Sequence, residues 1–150
     1  MSPAPGEKTR DHPATLMARA DCMNDAEMRA MLIEHMGKGF LENIIALFKQ
    51  EPELMRFIPD LISDEQVVVR LGATALVEEL AGKYRQQLGT AVPGLLSLLE
   101  HENPTIRGDA VNLLGIIGDP SARENVRRLT RDAHEAVRLL AGEALRELGK

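Results

Sequence analysis

Three stretches of this 150-residue chain repeat one another, and no other feature limits the fold as strongly. The stretches are residues 61–82, 98–118 and 129–149. They align on three arginines, 37 and 31 residues apart: Arg70, Arg107 and Arg138. In each copy, leucine stands nine residues before the arginine, valine or isoleucine one before, alanine three after, and leucine or isoleucine ten after. Agreement at so many offsets in one register predicts a repeated supersecondary unit.

Each copy reads as a short helix, a tight turn and a longer helix. In the longer helix, offsets −1, +3, +6, +7 and +10 from the arginine are apolar or alanine in all three copies. On a helix with 3.6 residues per turn these offsets form one stripe. A single helical hairpin cannot cover that stripe, so we expect the hairpins to stack side by side.

The composition agrees with an all-α protein. Aromatic residues make up 3% of the chain and tryptophan is absent, whereas β-sandwiches and barrels use more aromatic and β-branched residues. The net charge of −5 argues against a general nucleic-acid binder. One cysteine, no apolar run long enough to span a membrane and no secretion signal at the N-terminus together predict a cytoplasmic protein.

The pattern divides the chain into a tail and one domain. Residues 1–14 are rich in proline and lack apolar periodicity, which predicts a mobile tail. Residues 15–150 are expected to form a single domain. We divide it into a diverged N-terminal cap or first repeat and three repeats: 15–52, 53–83, 84–118 and 119–150.

Two helices are predicted before the clear repeats. Residues 24–36 carry Met28, Met31 and Leu32 at helical spacing, followed by His35 or Met36 on the same face. Residues 40–50 form the second helix, with one apolar face: Leu41, Ile44, Ile45 and Phe48. The methionine-rich face is interpreted as core. If it is only partly covered, it becomes an adaptable docking face or the interface of a homodimer.

The repeats resemble the HEAT family, and they are most similar to its phycobilisome-lyase-like variety. The resemblance rests on the Val-Arg or Ile-Arg pair, the alanine three places on, and the sequence IGDP at 117–120. The family's aspartate six places before the arginine is matched by Asp64 and Asp132, but His101 stands there in the middle copy. Its first-helix proline is matched by Pro93, whereas Pro59 has a shifted offset.

The resemblance implies a right-handed α-α superhelix, a HEAT-like solenoid of about three to four hairpin repeats. It also implies that the second helices line a concave face. It says little about function, because this fold serves scaffolds, adaptors, lyases and nucleic-acid enzymes.

Glycines within the longer helix at 105–117 need a reason, because an interior glycine costs about 1 kcal/mol relative to alanine. Gly118 is predicted to cap that helix, with Asp119 as the next N-cap and Pro120 in the first turn. A phosphate loop would instead need a preceding strand and a following Lys-Ser/Thr. Gly108 and Gly115 fall opposite the apolar stripe, so we expect them to thin the floor of the concave groove.

The concave face is the candidate binding site. Its predicted lining is Leu71, Thr74, Ala75, Glu78, Gly108, Val111, Asn112, Gly115, Leu139, Glu143 and Arg146. A partner helix or an extended peptide is the expected occupant. The alternative is that neighbouring helices or the tail cover part of the groove.

Other polar groups are interpreted as structural. Arg70, Arg107 and Arg138 are expected to reach an aspartate or a turn carbonyl rather than to bind anions. The basic stripe of Arg123, Arg127, Arg128 and Arg131 is interpreted as a solvated face on a first helix. The spacing of His12, His35, His101, His134 and Cys22 predicts neither a metal site nor a nucleophile. No catalytic residue, metal or cofactor is therefore assigned.

Three functions remain open. The favoured one is a non-catalytic module or adaptor that binds another protein. The alternative is a lyase-like or isomerase-like enzyme subunit, with a tetrapyrrole pocket lined by Glu78, Asn112 or Glu143, which rests on the resemblance alone. Nucleic-acid binding is the third, and it predicts retention on DNA that falls steeply with salt.

Overall fold

The computed structural model describes residues 22–149, and helices are the only regular secondary structure in that range. The predicted tail at 1–14 lies outside the described residues. The α-helices are α1 (Asp25–Gly37), α2 (Leu41–Gln50), α3 (Ile58–Ile62), α4 (Val67–Leu80), α5 (Val92–Leu98), α6 (Pro104–Ile117), α7 (Arg123–Arg128) and α8 (Glu135–Leu148). Short 3₁₀ segments join them at Pro52–Phe57, Gln87–Ala91, Pro120–Ala122 and Leu129–Arg131.

The six helices from α3 to α8 form three hairpins. In each hairpin a first helix of five to seven residues (α3, α5 or α7) precedes a second helix of 14 residues (α4, α6 or α8). Consecutive second helices contact one another, as do α3 and α5. The predicted all-α fold and the short-helix, turn, long-helix unit are therefore confirmed.

The apolar stripe of each second helix forms the core. The alanines at offset +3, which are Ala73, Ala110 and Ala141, have no exposed surface. The residues at offset +10 are at most 2% exposed: Leu80, Ile117 and Leu148. Burying one such leucine or isoleucine contributes about 2 kcal/mol. Each second helix packs against the first helix of its own hairpin.

The first helices α3 and α5 pack closely together. Pro59 and Pro93 each occupy the second position of their helix, so the shifted offset of Pro59 reflects the shorter α3. A Cβ on Gly94 would lie 2.5 Å from Cγ of Pro59. The absence of a side chain at this glycine is what allows the two helices to meet.

The N-terminal hairpin, α1 and α2, packs against α4. Asn24 caps α1 by accepting a hydrogen bond from the Glu27 backbone at 2.8 Å. Met28, Met31 and Met36 are at most 4% exposed, and Met36 fills the space in front of Gly72. The interpretation of the methionine face as core is confirmed. These three side chains therefore offer no surface for the homodimer considered from the sequence.

The turn after α6 has the geometry predicted for a cap. Gly118 adopts the left-handed conformation with φ +72°, and its N–H donates to the Leu114 carbonyl. The Asp119 carboxylate accepts from the Ser121 N–H at 2.9 Å, and Pro120 begins the next 3₁₀ segment. These three residues end one repeat and begin the next, as predicted.

Candidate functional site

The three aligned arginines fasten each turn to its own second helix. Nη1 of Arg70, Arg107 and Arg138 donates to the carbonyl six residues earlier, at 2.6, 2.8 and 2.7 Å. The accepting carbonyls belong to Asp64, His101 and Asp132. An arginine at this offset closes the turn because its side chain reaches back past the start of the helix and satisfies a carbonyl of the turn.

Two of these arginines also reach the next hairpin. Arg107 donates from Nε and Nη2 to the two carboxylate oxygens of Asp132, at 2.9 and 3.0 Å. Arg70 lies farther from its partner, with Nε 3.9 Å from Oδ2 of Asp109. The structural interpretation of Arg70 and Arg107 is confirmed, and Arg138 is bound within its own turn.

These contacts shift the pKa values of two aspartates in opposite directions. Hydrogen bonds from Arg107 lower the pKa of Asp132, and the His134 N–H adds to the effect. Burial raises the pKa of Asp109, which the charge of Arg70 only partly offsets. The link between the second and third hairpins is therefore the stronger ion pair.

The middle turn has His101 where the other two turns have aspartate. The histidine makes the hydrogen bond within the turn but cannot form an ion pair with an arginine. Asp64 and Asp132 each accept from the N–H two residues later, at 3.0 and 2.9 Å. His101 does the same through Nδ1, which accepts from the Asn103 N–H at 3.0 Å. The imidazole therefore stabilises the turn before α6, which Asn103 caps, but it provides no carboxylate to Arg70.

The two interior glycines of α6 lie where α8 packs, so they are not exposed groove residues, although each lines one of the two depressions described below. Gly108 and Gly115 are buried. A Cβ on Gly108 would lie 3.0 Å from Cδ1 of Leu140, and one on Gly115 would lie 3.1 Å from Cα of Ala144. Both glycines allow α8 to approach α6 closely, and these two helices make the most extensive helix contact in residues 22–149.

Val111 was also assigned wrongly to the groove, because it has no exposed surface. It stands at offset +4 in α6, which has a second helix on each side. Thr74 and Gly142 occupy the same offset in α4 and α8 and stay partly exposed. The central second helix buries more of its circumference than its neighbours do.

The remaining predicted positions are accessible, and the structure adds two. Leu71 and Leu139 are 66% and 62% exposed, whereas Val67 and Val68, which sequence reasoning missed, are 59% and 46% exposed. These are the four large apolar side chains that residues 22–149 leave exposed, and all lie on second helices. We call the following set the second-helix surface: Val67, Val68, Leu71, Thr74, Ala75, Glu78, Asn112, Leu139, Glu143 and Arg146.

Two shallow depressions follow the seam between α6 and α8. One of about 350 Å³ is lined by Pro104, Thr105, Gly108, Asp109, His134, Ala136, Val137 and Leu140. The other, of about 300 Å³, is lined by Asn112, Gly115, Ile116, Leu140, Glu143, Ala144 and Glu147. The structure therefore brings Asn112 and Glu143 together, whereas Glu78 lines neither depression. No lysine or arginine lines either one.

The basic stripe is partly used in structural contacts. Arg123 donates from Nη2 to the Leu148 carbonyl at 2.5 Å, and Arg127 pairs with Glu124 at 2.8 Å. Arg128 and Arg131 are exposed. The stripe lies on α7 and the 3₁₀ segment after it, away from the second-helix surface.

The histidines and the cysteine that were considered and not assigned as metal ligands or nucleophiles are dispersed where the structure describes them. His35 is buried and its Nδ1 donates to the Met31 carbonyl at 2.9 Å, while Cys22 is exposed. His12 lies outside the described residues. Within residues 22–149 no three His, Cys, Asp or Glu side chains are grouped so that they could hold a metal ion. Over the same range, no helix has the length and apolar character needed to cross a bilayer.

Stacked helical hairpins, joined by a repeated arginine contact and sharing one core, define an α-solenoid repeat protein. A family model described as HEAT repeats matches residues 57–146, which is more than half of the chain. The chain therefore belongs to the HEAT-repeat family. A search of curated proteins returned no match.

Proposed function

We propose that this HEAT-repeat protein is a non-catalytic interaction module whose second-helix surface binds another protein. The observation that carries the proposal is the placement of exposed apolar side chains. All four large ones in residues 22–149 lie on α4 and α8, and none lies on a first helix. Exposed apolar side chains grouped on one kind of surface are typical of protein interaction sites.

The strongest part of this surface is the start of α4. Val67 and Val68 lie four and three residues before Leu71, so each is its neighbour on the surface of α4. Polar groups surround them, because Gln66 is exposed and Thr74 partly exposed. An apolar centre with a polar rim is the usual anatomy of a protein interface.

The proposal is tested by comparing matched arginine substitutions in a pull-down from native extract. Leu71→Arg places a charge in the apolar centre, and Ser97→Arg places the same charge on the exposed side of the first helix α5. We expect a partner that is retained by the natural chain and by Ser97→Arg but lost with Leu71→Arg. Equal circular dichroism spectra must show that both variants are folded. Equal retention by the two variants would overturn the proposal.

A second candidate function is tetrapyrrole binding, in line with the phycobilisome-lyase-like resemblance. The depression that Asn112 and Glu143 share supports it. The test is a visible-absorbance titration with a tetrapyrrole. A spectral change that Glu143→Gln abolishes and Glu78→Gln leaves intact would support it, and an unchanged spectrum would reject it.

We also propose a cytoplasmic location. The single cysteine supports a reducing compartment. A fluorescent fusion and fractionation of the source cells test it, with recovery in the soluble cytoplasmic fraction expected.

A further inference from the structure

The aligned arginines connect hairpins in a way that α8 repeats only in part. Arg107 uses Nη1 for its own turn, and its Nε and Nη2 bind Asp132 of the following hairpin. Arg70 likewise has Asp109 of the following hairpin beside its Nε. In both steps, therefore, the next hairpin brings an aspartate to the arginine of the previous second helix.

Arg138 makes only the first half of this contact. Its Nη1 donates to the Asp132 carbonyl at 2.7 Å, and its side chain has no carboxylate partner among residues 22–149. Arg138 is exposed, whereas the Arg107 side chain is only 14% exposed. The edge of the guanidinium that binds aspartate in Arg107 is thus available in Arg138.

Residues on the same face of α8 as Arg138 are also uncovered. At offset +4, Val111 of α6 is covered completely, but nothing lies within 4 Å of the place where a Cβ on Gly142 would be. At offset +1, Leu139 is exposed, whereas Gly108 is buried beneath the next helix. We call Arg138, Leu139, Gly142 and Arg146 the α8 end face.

The α8 end face has a precedent within the chain. Leu71 and Glu78 of α4 stand at the offsets of Leu139 and Arg146, and a following hairpin packs beside α4 all the same. A leucine and a long charged residue at these offsets are therefore compatible with a neighbouring hairpin. They do not allow the close approach that Gly108 and Gly115 give α8.

We propose that the α8 end face is a second docking surface, which accepts a helical hairpin of a partner protein with an aspartate or glutamate placed against Arg138. The carboxylate completes the bidentate contact seen at Arg107. Gly142 leaves room for the partner's helix to approach. The α8 end face shares Leu139 and Arg146 with the second-helix surface, so this inference rests in part on the proposed function. It does not involve the exposed apolar residues at the start of α4.

The test adds a hairpin of known sequence to the natural chain. Gly149 stands eleven residues after Arg138, as Gly118 stands eleven after Arg107. A second copy of residues 119–150 joined after Gly149 therefore keeps the natural connection between repeats. The matched control carries Asp132→Asn in the added copy alone.

We expect the extended chain to gain helical circular dichroism in proportion to its added length and to unfold in one transition at a higher urea midpoint. The Asp132→Asn control is expected to lose most of that gain. An added copy that stays unfolded, or a midpoint that is the same with aspartate and asparagine, would overturn the proposal.

The natural chain is examined by sedimentation in parallel, because a second copy is the competing occupant. We expect a monomer that Leu139→Glu leaves unchanged. A dimer that Leu139→Glu dissociates and Leu71→Glu does not would overturn the assignment to a partner protein and give the α8 end face to a second copy.

Discussion

Arg107 and Asp132 join the second hairpin to the third through two parallel hydrogen bonds. Nε donates to Oδ2 at 2.9 Å and Nη2 donates to Oδ1 at 3.0 Å. The two side chains are 14% and 7% exposed, so the pair is largely removed from solvent. Loss of one partner from such a pair leaves an uncompensated charge, and stability should depend on it more than on the surface ion pairs.

Asp132→Asn is expected to lower the free energy of unfolding by about 2 kcal/mol, because the pair is partly buried and lies between an exposed and a fully buried ion pair. Asparagine can still accept from the His134 N–H, but it no longer neutralises Arg107. Asp64→Asn is the matched control, because the Asp64 carboxylate accepts from the N–H two residues later in the same way, and its only arginine contact among the described residues is through the backbone carbonyl. Urea denaturation should show a loss below about 1 kcal/mol for the control. Equal losses would show that capping, not the ion pair, is what Asp132 contributes.

The same pair predicts a dependence of stability on pH. The hydrogen bonds from Arg107 hold the pKa of Asp132 below its usual 3.8. The unfolded chain therefore takes up this proton first as the pH falls, and the contribution of the pair is complete above the unfolded pKa and lost through the folded one. The stability difference between the natural chain and Asp132→Asn should shrink as the pH falls through and below the usual pKa of 3.8. A difference that stays constant over this fall in pH would contradict the account.

Asp109 is expected to behave in the opposite way, because burial raises its pKa above the usual 3.8. The folded chain takes up this proton before the unfolded chain does, so this group adds stability as the pH falls toward its unfolded pKa. Asp109→Asn should therefore be more stable than the natural chain at neutral pH and lose that advantage in acid. Urea denaturation at neutral and acidic pH measures both. A variant that is less stable at neutral pH would show that the contact with Arg70 outweighs the burial.

Alanine substitutions at three glycines distinguish the effect of helix propensity on stability from the effect of packing. Gly142→Ala should stabilise the protein by about 1 kcal/mol, because the space in front of it is open and alanine favours helix. Gly115→Ala should destabilise it by about 1 kcal/mol net, because the new Cβ meets the Ala144 backbone. The stability change for Gly108→Ala should lie between these two values, since its new Cβ comes close only to the end of the Leu140 side chain. The midpoints of thermal unfolding give the order of stability of the three variants. A stabilising Gly115→Ala would mean that α6 and α8 are farther apart than in this structure.

His101→Asp tests the altered middle turn. Aspartate keeps the cap on the Asn103 N–H and adds the carboxylate that the equivalent Asp132 presents to Arg107. We expect a gain of about 1 kcal/mol in the free energy of unfolding. The gain should be absent when Arg70 is replaced by lysine, because the bidentate geometry is then lost. A gain that is independent of Arg70 would come from the cap instead.

The sequence was enough to predict the hairpins and their core, because the repeated offsets define which side of each second helix is apolar. The buried alanines at Ala73, Ala110 and Ala141 and the role of the aligned arginines followed from that register. The cap at Gly118 followed from local turn chemistry. These features depend on neighbours along the chain or on one repeated contact.

The groove was predicted less well, because an apolar stripe identifies the core side of a helix but not the side on which the next helix packs. Gly108, Val111 and Gly115 all lie opposite or beside the stripe, yet α8 covers them. A glycine inside a helix was the signal available, since it marks a close approach. Val67 and Val68 were missed because they precede the aligned arginine and fall outside the offsets compared.

The most direct test of the interaction surface is photo-crosslinking from single positions in native extract. A photoreactive phenylalanine analogue is placed at position 71 or at position 97, on α4 and α5 respectively. We expect a crosslinked protein adduct from position 71 and none from position 97. An adduct from position 97 with none from position 71 would contradict the proposed function.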